Sequence, residues 1–442
     1  MKFLRTALLT LRLALPKIGV AYMSVLLTSN LNRIAIREFA VPALIITIMI
    51  GLHNFISPLQ VFWGRASDRH PLRGYHRTPY ILGGAFVASL AFPLLPPLLA
   101  PMRNHSVPAI MAGFAVLIVY GIALAAMGDS HHTLIADVTN ERQRGSVMAA
   151  VWFVMIISII ASAIFLAVNM PTYDAATMQH LYNLTPFLVL LTTLAGILGI
   201  EHRSSSPRVA AQSGNVFALT ANVLRINTDA RRFFGFMFLA ICAIFVQDSI
   251  LELFGAEVFK LDVGATSRFT STWGAGALLG MVVVGVVSGA RATSKSKVAT
   301  LGGILVAIGL AGIAVSGFLG VLLLLTPSIF VMGLGAGIFN VGALALMMDM
   351  TPSGARGTYM GIWGMAQALG TGVAAIVSGA LHTVLIEQLG LAPAPSYLLI
   401  FSGEAMLMVG AIVLLREVSV QRFIGATSMD LRELPVLDGL AA

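Results

Sequence analysis

Ionisable side chains lie within long apolar runs of this 442-residue sequence, where a charge is unfavourable unless it has a function. One run contains Asp129-Ser130-His131-His132, and His53 lies midway along another. A neutral imidazole can ligate a metal centre, including the magnesium of a chlorin ring, and a carboxylate can orient such a ligand. Adjacent histidines diverge by about 100° on a helix, so at most one of His131 and His132 points at any one ligand. The alternative is that these histidines form hydrogen bonds between helices.

A second group of such side chains is Gln247-Asp248-x-x-x-Glu252. Asp248 and Glu252 would share one face of a helix, because they are four residues apart. The pattern predicts a pair that binds a cation, a proton or a polar head group. The alternative is a hydrogen-bonded pair near the outer end of the helix, with Arg33 as its partner. Glu404, midway along the last apolar run, is a further acid whose partner the sequence does not reveal.

The elements that position these side chains belong to a membrane protein. The chain is 57% hydrophobic and 10% charged, with a mean hydropathy of +0.90, whereas soluble domains carry roughly 25% charged residues. Its single cysteine, Cys242, excludes an intrachain disulfide, and no tightly bound metal is predicted. The net charge of +8 is explained by Lys and Arg in cytoplasmic loops, so nucleic-acid binding is not expected.

About 20 apolar residues are needed to cross a bilayer as a helix. Twelve segments qualify, at 17–36, 42–63, 79–101, 107–136, 145–168, 183–201, 232–254, 268–290, 298–317, 321–348, 357–381 and 396–416. With the N-terminus placed in the cytoplasm, only five of the 27 Lys and Arg fall on the opposite side, namely Arg33, Arg37, Arg103, Lys260 and Arg268. This asymmetry predicts that both termini are cytoplasmic.

An internal repeat relates the two halves of the chain. The motif Asp137-x-Thr139-x-x-x-x-Arg144-Gly145-x-x-Met148 recurs as Asp349-x-Thr351-x-x-x-x-Arg356-Gly357-x-x-Met360. Each half holds six spans, so both halves enter the membrane from the same face and the repeat is parallel. The predicted fold is an all-α membrane protein with 12 transmembrane helices in two parallel six-helix repeats, the arrangement of the major facilitator superfamily.

The predicted organisation has five parts. They are an interfacial amphipathic segment at 1–16, an N-terminal six-helix bundle at 17–201, a cytoplasmic linker at 202–231, a C-terminal six-helix bundle at 232–416 and a cytoplasmic tail at 417–442.

Charged residues at the cytoplasmic ends of the spans predict structural gates. Gly64-x-x-x-Asp68-Arg69, followed by Arg77, resembles the loop between the second and third spans of the major facilitator superfamily. We expect it to latch the cytoplasmic side rather than to bind a ligand. In the same way, Asp137 with Arg144 and Asp349 with Arg356 are predicted ion-pair clamps at the cytoplasmic mouth.

Small residues predict where helices approach closely, at Gly333, Gly335, Gly337, Gly361, Gly364, Gly370 and Gly372. The sequence has no Walker loop, zinc-ligand spacing or nucleophile elbow, so enzymatic chemistry is not expected.

Four runs together resemble one branch of the superfamily. They are Leu13-x-Leu15-Pro16-Lys17-Ile18-Gly19-Val20 with Leu31-Asn32-Arg33-Ile34-Ala35-Ile36-x-Glu38; Ser67-Asp68 with Gly74-Tyr75-x-Arg77-Thr78-Pro79-Tyr80-Ile81; Gln247-Asp248-x-x-Leu251-Glu252-x-x-Gly255-x-Glu257-Val258-Phe259; and Met348-Asp349-Met350-Thr351 with Met360-Gly361-x-Trp363-Gly364-x-Ala366-Gln367-Ala368. They resemble the PucC/LhaA family of photosynthetic bacteria, and the likeness extends from about residue 10 to residue 416.

The resemblance implies a light-harvesting complex assembly factor that carries chlorophyll or bacteriochlorophyll as cargo. It implies antenna polypeptides or the reaction-centre core as partners, and a bacterial photosynthetic inner membrane, intracytoplasmic or thylakoid, as location. Trp363 and Gln367 join the histidines, Asp129, Arg33, Gln247 and the two carboxylates as candidate pigment- or substrate-binding residues. Two alternatives stay open: a proton-coupled transporter of a small amphipathic solute, and a non-transporting structural subunit bound to antenna or reaction-centre helices.

Overall fold

A computed structural model describes residues 2–56, 60–203, 216–290, 294–351 and 356–424. Within these ranges the regular elements are helices, apart from one isolated β-bridge between Leu72 and Tyr75. The all-α prediction is confirmed.

The first half contains ten α-helices, and a π-helical turn at Leu26–Leu31 joins the second to the third. They are α1 (Lys2–Ala14), α2 (Pro16–Val25), α3 (Asn32–Arg37), α4 (Ala43–Ile56), α5 (Gln60–Arg69), α6 (Thr78–Leu94), α7 (Pro96–Arg103), α8 (Val107–Val138), α9 (Glu141–Asn169) and α10 (Ala175–Ile197).

The rest of the described chain holds eight α-helices. They are α11 (Val216–Ile226), α12 (Thr228–Phe245), α13 (Leu251–Val258), α14 (Val263–Ala290), α15 (Lys295–Leu319), α16 (Leu322–Asp349), α17 (Arg356–His382) and α18 (Pro393–Arg416). A 3₁₀ turn at Gln247–Ser249 separates α12 from α13, and a π-helical turn at Thr383–Gln388 follows α17.

Nine stretches of the described helices are long and apolar enough to cross a membrane without a sharp bend. Two more crossings are bent pairs, α6 with α7 at 42° and α12 with α13 at 43°. Pro93 and Pro96 flank the first bend. Proline interrupts a helix because it has no backbone N–H to donate to the preceding turn. The shorter apolar helix α4 lies in the remaining predicted span. Up to eleven of the twelve predicted spans are therefore confirmed in the described residues, and the second predicted span contains the shorter helix α4.

Two span boundaries differ from the prediction. Helix α10 begins at Ala175 rather than at residue 183, because the Asp174 carboxylate caps it by accepting the Thr177 N–H at 2.7 Å. The first span has no break at residue 16, since Leu15 is itself α-helical and one helix runs from Thr6 to Arg37. At about 1.5 Å per residue this helix exceeds a hydrocarbon core of roughly 30 Å, so one end extends beyond the core.

Two hydrophobic clusters form the interior. The first is built from residues between Leu13 and Ile200, together with Leu253 and Val263. The second is built from residues between Ala230 and Phe423. Between them, the predicted linker contains helix α11. Its residues 204–215, and residues 425–442 of the predicted tail, lie outside the described ranges.

The two halves meet where α4 packs on α17 and where α9 packs on α14. Small residues bring the first pair of helices close together. A Cβ added at Gly51 would lie 2.8 Å from the Cβ of Ala375, and one added at Gly379 would overlap the Thr47 hydroxyl. This contact therefore depends on glycine at both positions.

The glycine prediction is confirmed in α16, where Gly333 and Gly337 lie directly against the backbone of α14. It is also confirmed for Gly372, where an added Cβ would lie 2.7 Å from the Phe55 ring. It is wrong for Gly361 and Gly364, because an added Cβ would meet no described atom within 4 Å at either position.

Chain direction defines two ends of the bundle. Helix α1 begins and α18 finishes at one end, which we call the near end. The loops at 38–42, 170–174, 259–262 and 389–392 lie at the opposite end, which we call the far end. The candidate residues divide among the near end, the far end and the membrane interior between them.

Candidate functional site

Helix α12 is broken where the sequence places its carboxylates. Gln247–Ser249 forms a 3₁₀ turn, and Ile250 leaves the helical conformation at φ −127° and ψ −9°. Asp248 and Glu252 therefore lie on separate helical segments. The prediction that they share one helix face is wrong, because it assumed an unbroken α-helix between them.

The first span carries a matching irregularity opposite this break. A π-helical turn leaves backbone carbonyls without their usual partners, and the Tyr182 hydroxyl donates to the Leu26 carbonyl at 2.9 Å and to Asn30 Oδ1 at 3.1 Å. The Asn32 amide donates to the Ser249 carbonyl of the 3₁₀ turn. The residue that follows the π-helical turn is therefore bonded to the 3₁₀ turn of the other half.

Buried polar groups surround this contact, and we call Ser29, Asn30, Asn32, Glu252 and Thr270 the polar seam. Glu252 is 5% exposed and accepts a hydrogen bond from Thr270 Oγ1 at 2.7 Å. The buried atoms Ser29 Oγ, Asn30 Nδ2 and Asn32 Oδ1 have no hydrogen-bond partner among the described residues. Unsatisfied buried polar atoms are uncommon and mark sites where water, a proton or a ligand is accommodated.

Glu404 of α18 is 4% exposed, and neither of its carboxylate oxygens has a hydrogen-bond partner among the described residues. A buried carboxyl group is normally hydrogen-bonded, so Glu404 is an unusual acid in the membrane interior. Gln247, at the helix break, donates its side-chain amide to the Ile244 carbonyl at 3.2 Å. Its side chain therefore caps the broken helix.

Arg33 does not pair with the carboxylates of the broken helix. Its guanidinium binds Glu38 at 2.9 Å and the Leu261 carbonyl at 3.0 Å. The predicted partnership with Asp248 and Glu252 is therefore wrong, because α3 carries Arg33 past the break towards the far end.

The far end contains a polar network that the sequence did not reveal. Glu257 accepts hydrogen bonds from His382 at 3.2 Å and from the Tyr397 hydroxyl at 3.0 Å. Glu387 accepts the Ala43 N–H at 3.1 Å, and Thr383 Oγ1 accepts the Leu44 N–H at 3.2 Å. The π-helical turn after α17 thus caps the N-terminus of α4 in the other half. No local pattern predicts these pairs, whose members are more than 100 residues apart.

The predicted gate residues lie at helix ends on the near end of the bundle. Their ion-pair partners are not all the predicted ones. Gly64, Asp68 and the exposed Arg69 belong to α5. Arg77 binds Asp68 at 2.5 Å and Asp137 at 3.3 Å.

The predicted Asp137–Arg144 clamp differs from the described ion pairs, and the predicted Asp349–Arg356 clamp involves a side chain outside the described residues. Asp137 pairs with Arg77, while Arg144 donates to the Ala136 carbonyl at 2.9 Å. Asp349 pairs with Lys295 at 2.6 Å, and the side chain of Arg356 lies outside the described residues. In each half the repeated aspartate at the end of the fourth span binds a basic residue at the start of the third.

The three candidate histidines have different surroundings. His53 lies edge-on to Tyr120, and its Nδ1 bonds to the Ile50 carbonyl at 2.5 Å. A carbonyl only accepts, so Nδ1 carries the proton and Nε2 presents a lone pair. His131 uses Nε2 to donate to the Leu13 carbonyl at 2.8 Å. His132 Nε2 lies 3.2 Å from the Lys17 ammonium. A metal-ligating histidine normally donates one ring N–H to a carbonyl or carboxylate and binds the metal with the other nitrogen. Of the three, His53 has this arrangement.

Lys17 is a residue that sequence reasoning missed. It is 6% exposed, and its Nζ lies 5.5 Å from the centroid of the Trp152 ring. Asp129, on the same side of α8 as His132, has one buried oxygen, Oδ2, without a partner among the described residues. Burial of a lysine is a signal that sequence alone does not carry, because Lys17 looks like an ordinary basic residue at a cytoplasmic span end.

Two other candidates lie in the core of the second half. Trp363 is fully buried, packs edge-on against Phe233 at 4.8 Å and donates its indole N–H to the Met350 carbonyl at 3.1 Å. The ring is fully covered within the second hydrophobic cluster, and its predicted role in pigment binding stays a prediction. Gln367 is half-buried and lies 3.6 Å from the Met347 sulfur.

Two clefts among the described residues contain none of these candidates. One of about 370 Å³ lies between α1 and α9, lined by Thr6, Ala7, Thr10, Leu11, Ala14, Ser146, Ala150 and Val154. The other, of about 340 Å³, lies among α5, α6 and α8, lined by Trp63, Pro79, Tyr80, Gly83, Gly84, Val87, Val119, Ile122, Ala123 and Ala126. Among the described residues, no group of three or more His, Cys, Asp or Glu could hold a metal ion.

Comparison with known proteins assigns the family. The profile of the family described as "PUCC protein" matches residues 30–423. The chain belongs to the PUCC protein family. The predicted family is therefore confirmed, and PUCC-family sequence covers both halves and the polar seam from Asn30 onward.

Two relatives of this PUCC-family chain come from photosynthetic bacteria. The "Bacteriochlorophyll synthase 44.5 kDa chain" of Rhodobacter capsulatus is 29% identical over 418 residues, covering 90% of this chain and 92% of that protein. "Protein PucC" of Cereibacter sphaeroides is 28% identical over 411 residues, covering 89% and 88%.

Solved structures share the fold. The nucleoside transporter NupG superposes with a TM-score of 0.70 at 16% identity, covering 93% of this chain and 100% of NupG. A POT family transporter in complex with a thioalcohol-conjugated peptide gives a TM-score of 0.69 at 11% identity, covering 94% and 96%. At these identities the likeness shows the transporter fold alone. The chain is a multi-pass membrane protein with that fold.

Proposed function

We propose that this PUCC-family protein is a light-harvesting complex assembly factor that binds (bacterio)chlorophyll in the membrane and delivers it to antenna polypeptides. The family match over residues 30–423 is the observation that carries the proposal. One relative is named for bacteriochlorophyll synthesis. The role proposed for this chain is nevertheless non-enzymatic, because the transporter-like fold favours binding and hand-over rather than catalysis.

His53 is the proposed axial ligand to the magnesium of the pigment. Its Nδ1 proton is fixed by the Ile50 carbonyl, which orients the ring and leaves Nε2 as a lone-pair donor. Tyr120 of α8 packs against the His53 imidazole. Gly121 leaves space for the His53 side chain, since a Cβ added at Gly121 would lie 2.8 Å from the His53 Cβ. His131 and His132 are less suited, because their Nε2 atoms already have partners.

We place the protein in the photosynthetic inner membrane, intracytoplasmic or thylakoid, with both termini in the cytoplasm. The charge distribution supports this orientation, because most Lys and Arg lie at the near end. The proposed partners are the antenna polypeptides that receive the pigment, or the reaction-centre core that they surround.

Titration of the purified protein with bacteriochlorophyll a in mild detergent tests the proposal. We expect one pigment per chain, seen as a shift of the chlorin absorption band on ligation. His53→Gln should weaken binding by tenfold or more, on the order of the loss seen for weakened metal ligation. His180→Gln, at an exposed position of α10, is the matched control and should bind like the wild type.

Magnesium-free bacteriopheophytin separates ligation from simple burial of the ring. Its binding should be the same for the wild type and His53→Gln, because no magnesium is there to ligate. Equal bacteriochlorophyll binding by wild type and His53→Gln would refute the ligand assignment. Absence of pigment binding by the wild type would refute the proposed function itself.

A proton-coupled transporter is the second candidate function, favoured by the buried acids Glu252 and Glu404 within the membrane interior. It predicts solute uptake into proteoliposomes that requires a pH gradient and is abolished in Glu252→Gln. Under the assembly-factor proposal, pigment binding by Glu252→Gln is unchanged and no such uptake occurs.

A further inference from the structure

We propose that Lys17, His132 and Trp152 form a subsite for a carboxylate attached to a flat apolar ring. The inference rests on the proposed function, because the ring is taken to be a chlorin. It adds an anchor, separate from the magnesium, for a chlorin acid, the form that lacks the ester-linked isoprenoid tail of (bacterio)chlorophyll.

The first observation is a buried cation without a counter-ion. Lys17 is 6% exposed, and it forms no ion pair with any carboxylate in the part of the chain that the structure describes. An ammonium has three N–H donors, and the hydrogen bond described for it goes to His132 Nε2 at 3.2 Å. A charge held in a membrane interior normally pairs with an opposite charge. The arrangement therefore lacks an anion.

The second observation is that a partly exposed tryptophan ring lies beside the Lys17 ammonium. The Trp152 side chain is 46% exposed, and Lys17 Nζ lies 5.5 Å from its ring centroid, within the distance for a cation–π contact. The exposed part of the indole offers a flat apolar surface next to the positive charge. A ring that stacks on Trp152 would place a short acidic substituent against Lys17.

His132 holds the ammonium in position. Its Nε2 accepts from Lys17 Nζ, so its proton lies on Nδ1, on the side of the ring away from Lys17. His131, at a ring-centroid distance of 6.0 Å, donates to the Leu13 carbonyl. The donors for a carboxylate are therefore the N–H groups of Lys17 that His132 does not use.

Asp129 does not supply the missing anion. It lies one turn before His132 on α8, yet its buried Oδ2 has no hydrogen-bond partner among the described residues. No hydrogen bond or ion pair between Asp129 and Lys17 is described. An external carboxylate remains the group that matches Lys17.

The test compares binding of pheophorbide a with binding of its methyl ester, by quenching of tryptophan fluorescence in detergent-purified full-length protein. The two probes differ only in the carboxylate and carry no magnesium, so His53 ligation does not contribute. We expect the acid to bind about tenfold more tightly, as for one charge-assisted hydrogen bond in a buried site. Lys17→Gln should remove this preference, and Lys17→Arg should keep most of it.

Lys297→Gln, at an exposed lysine of α15, is the matched control and should leave the preference intact. Because the acid-to-ester ratio is taken within one preparation, a partly unfolded variant does not distort it. Equal binding of acid and ester by the wild type, or a preference that survives Lys17→Gln, would overturn the subsite while leaving the proposed function standing. No binding of either probe, or of bacteriochlorophyll, would overturn both.

An anionic lipid head group is the other source of a negative charge. Repeating the comparison in nanodiscs of phosphatidylcholine, with and without phosphatidylglycerol, separates the two. Retention of the acid preference in both supports the ring carboxylate. Loss of the preference only with phosphatidylglycerol would assign the Lys17 subsite to the lipid.

Discussion

At Arg77, three acceptors from two helix ends of the first half converge on one guanidinium. The side chain is 3% exposed and bonds to Asp68 at 2.5 Å, to Asp137 at 3.3 Å and to the Ser67 hydroxyl. It therefore ties the end of α5 and the end of α8 to the start of α6. Removing the cation would leave two partly buried carboxylates close together without their shared partner.

We expect Arg77→Met to lower the free energy of unfolding by about 3 kcal/mol, the loss typical of breaking one side of a buried ion pair. Arg103→Met, at the exposed end of α7, should change it by less than about 0.5 kcal/mol. Unfolding in detergent, followed by circular dichroism, measures both. Equal losses in the two variants would show that the Arg77 ion pairs add no stability.

The sequence predicted which charged residues form ion pairs at the near end, but it did not predict all of their partners. The repeat identified Asp137 and Asp349, but it suggested the arginine seven residues later as partner in each case. The structure pairs Asp137 with Arg77, 60 residues earlier, and Asp349 with Lys295, 54 residues earlier, while the Arg356 side chain lies outside the described residues. Such contacts depend on how helices pack, which a local pattern does not encode.

The helices themselves were predictable, because length and apolar character alone decide whether a segment crosses a bilayer. Their interruptions were not. Asp248 and Glu252 have a spacing that indicates one helix face, yet the backbone breaks between them at Ile250. The π-helical turn at Leu26–Leu31 likewise has no Pro or Gly to announce it. Both irregularities are stabilised by partners in distant helices.

Packing of α4 on α17 depends on Gly379, where an added Cβ would overlap the Thr47 hydroxyl and lie 2.9 Å from the Ala43 carbonyl. We expect Gly379→Ala to lower the free energy of unfolding by about 1–3 kcal/mol, because the neighbouring backbone would have to move. Thermal unfolding in detergent measures the loss.

Gly410→Ala in α18 is the matched control, since no described atom lies within 4 Å of the added Cβ. It should be neutral or slightly stabilising, because alanine favours a helix more than glycine does. If Gly379→Ala were as stable as Gly410→Ala, the described approach of α4 to α17 would be wrong.

For the molecule as a whole, the two halves are joined towards the far end. The hydrogen bonds described between them are Asn32 to Ser249, Arg33 to Leu261, Ala43 to Glu387, Leu44 to Thr383 and Gly264 to Pro171. The ion pairs described at the near end, including Arg77 with Asp137 and Lys295 with Asp349, each join residues of one half. The described hydrogen bonds between the halves therefore lie towards the far end, whereas the described near-end ion pairs stay within one half.

The most direct test of the central claim is the near-infrared absorption of membranes from a photosynthetic bacterium that lacks its own PUCC-family proteins and is complemented with this chain. The account predicts that the wild-type chain restores the antenna absorption bands and that His53→Gln, expressed to the same level, restores them substantially less. The wild-type chain folded in the membrane could instead leave the antenna bands at the level of the deletion strain. That result would contradict the proposed role in light-harvesting complex assembly.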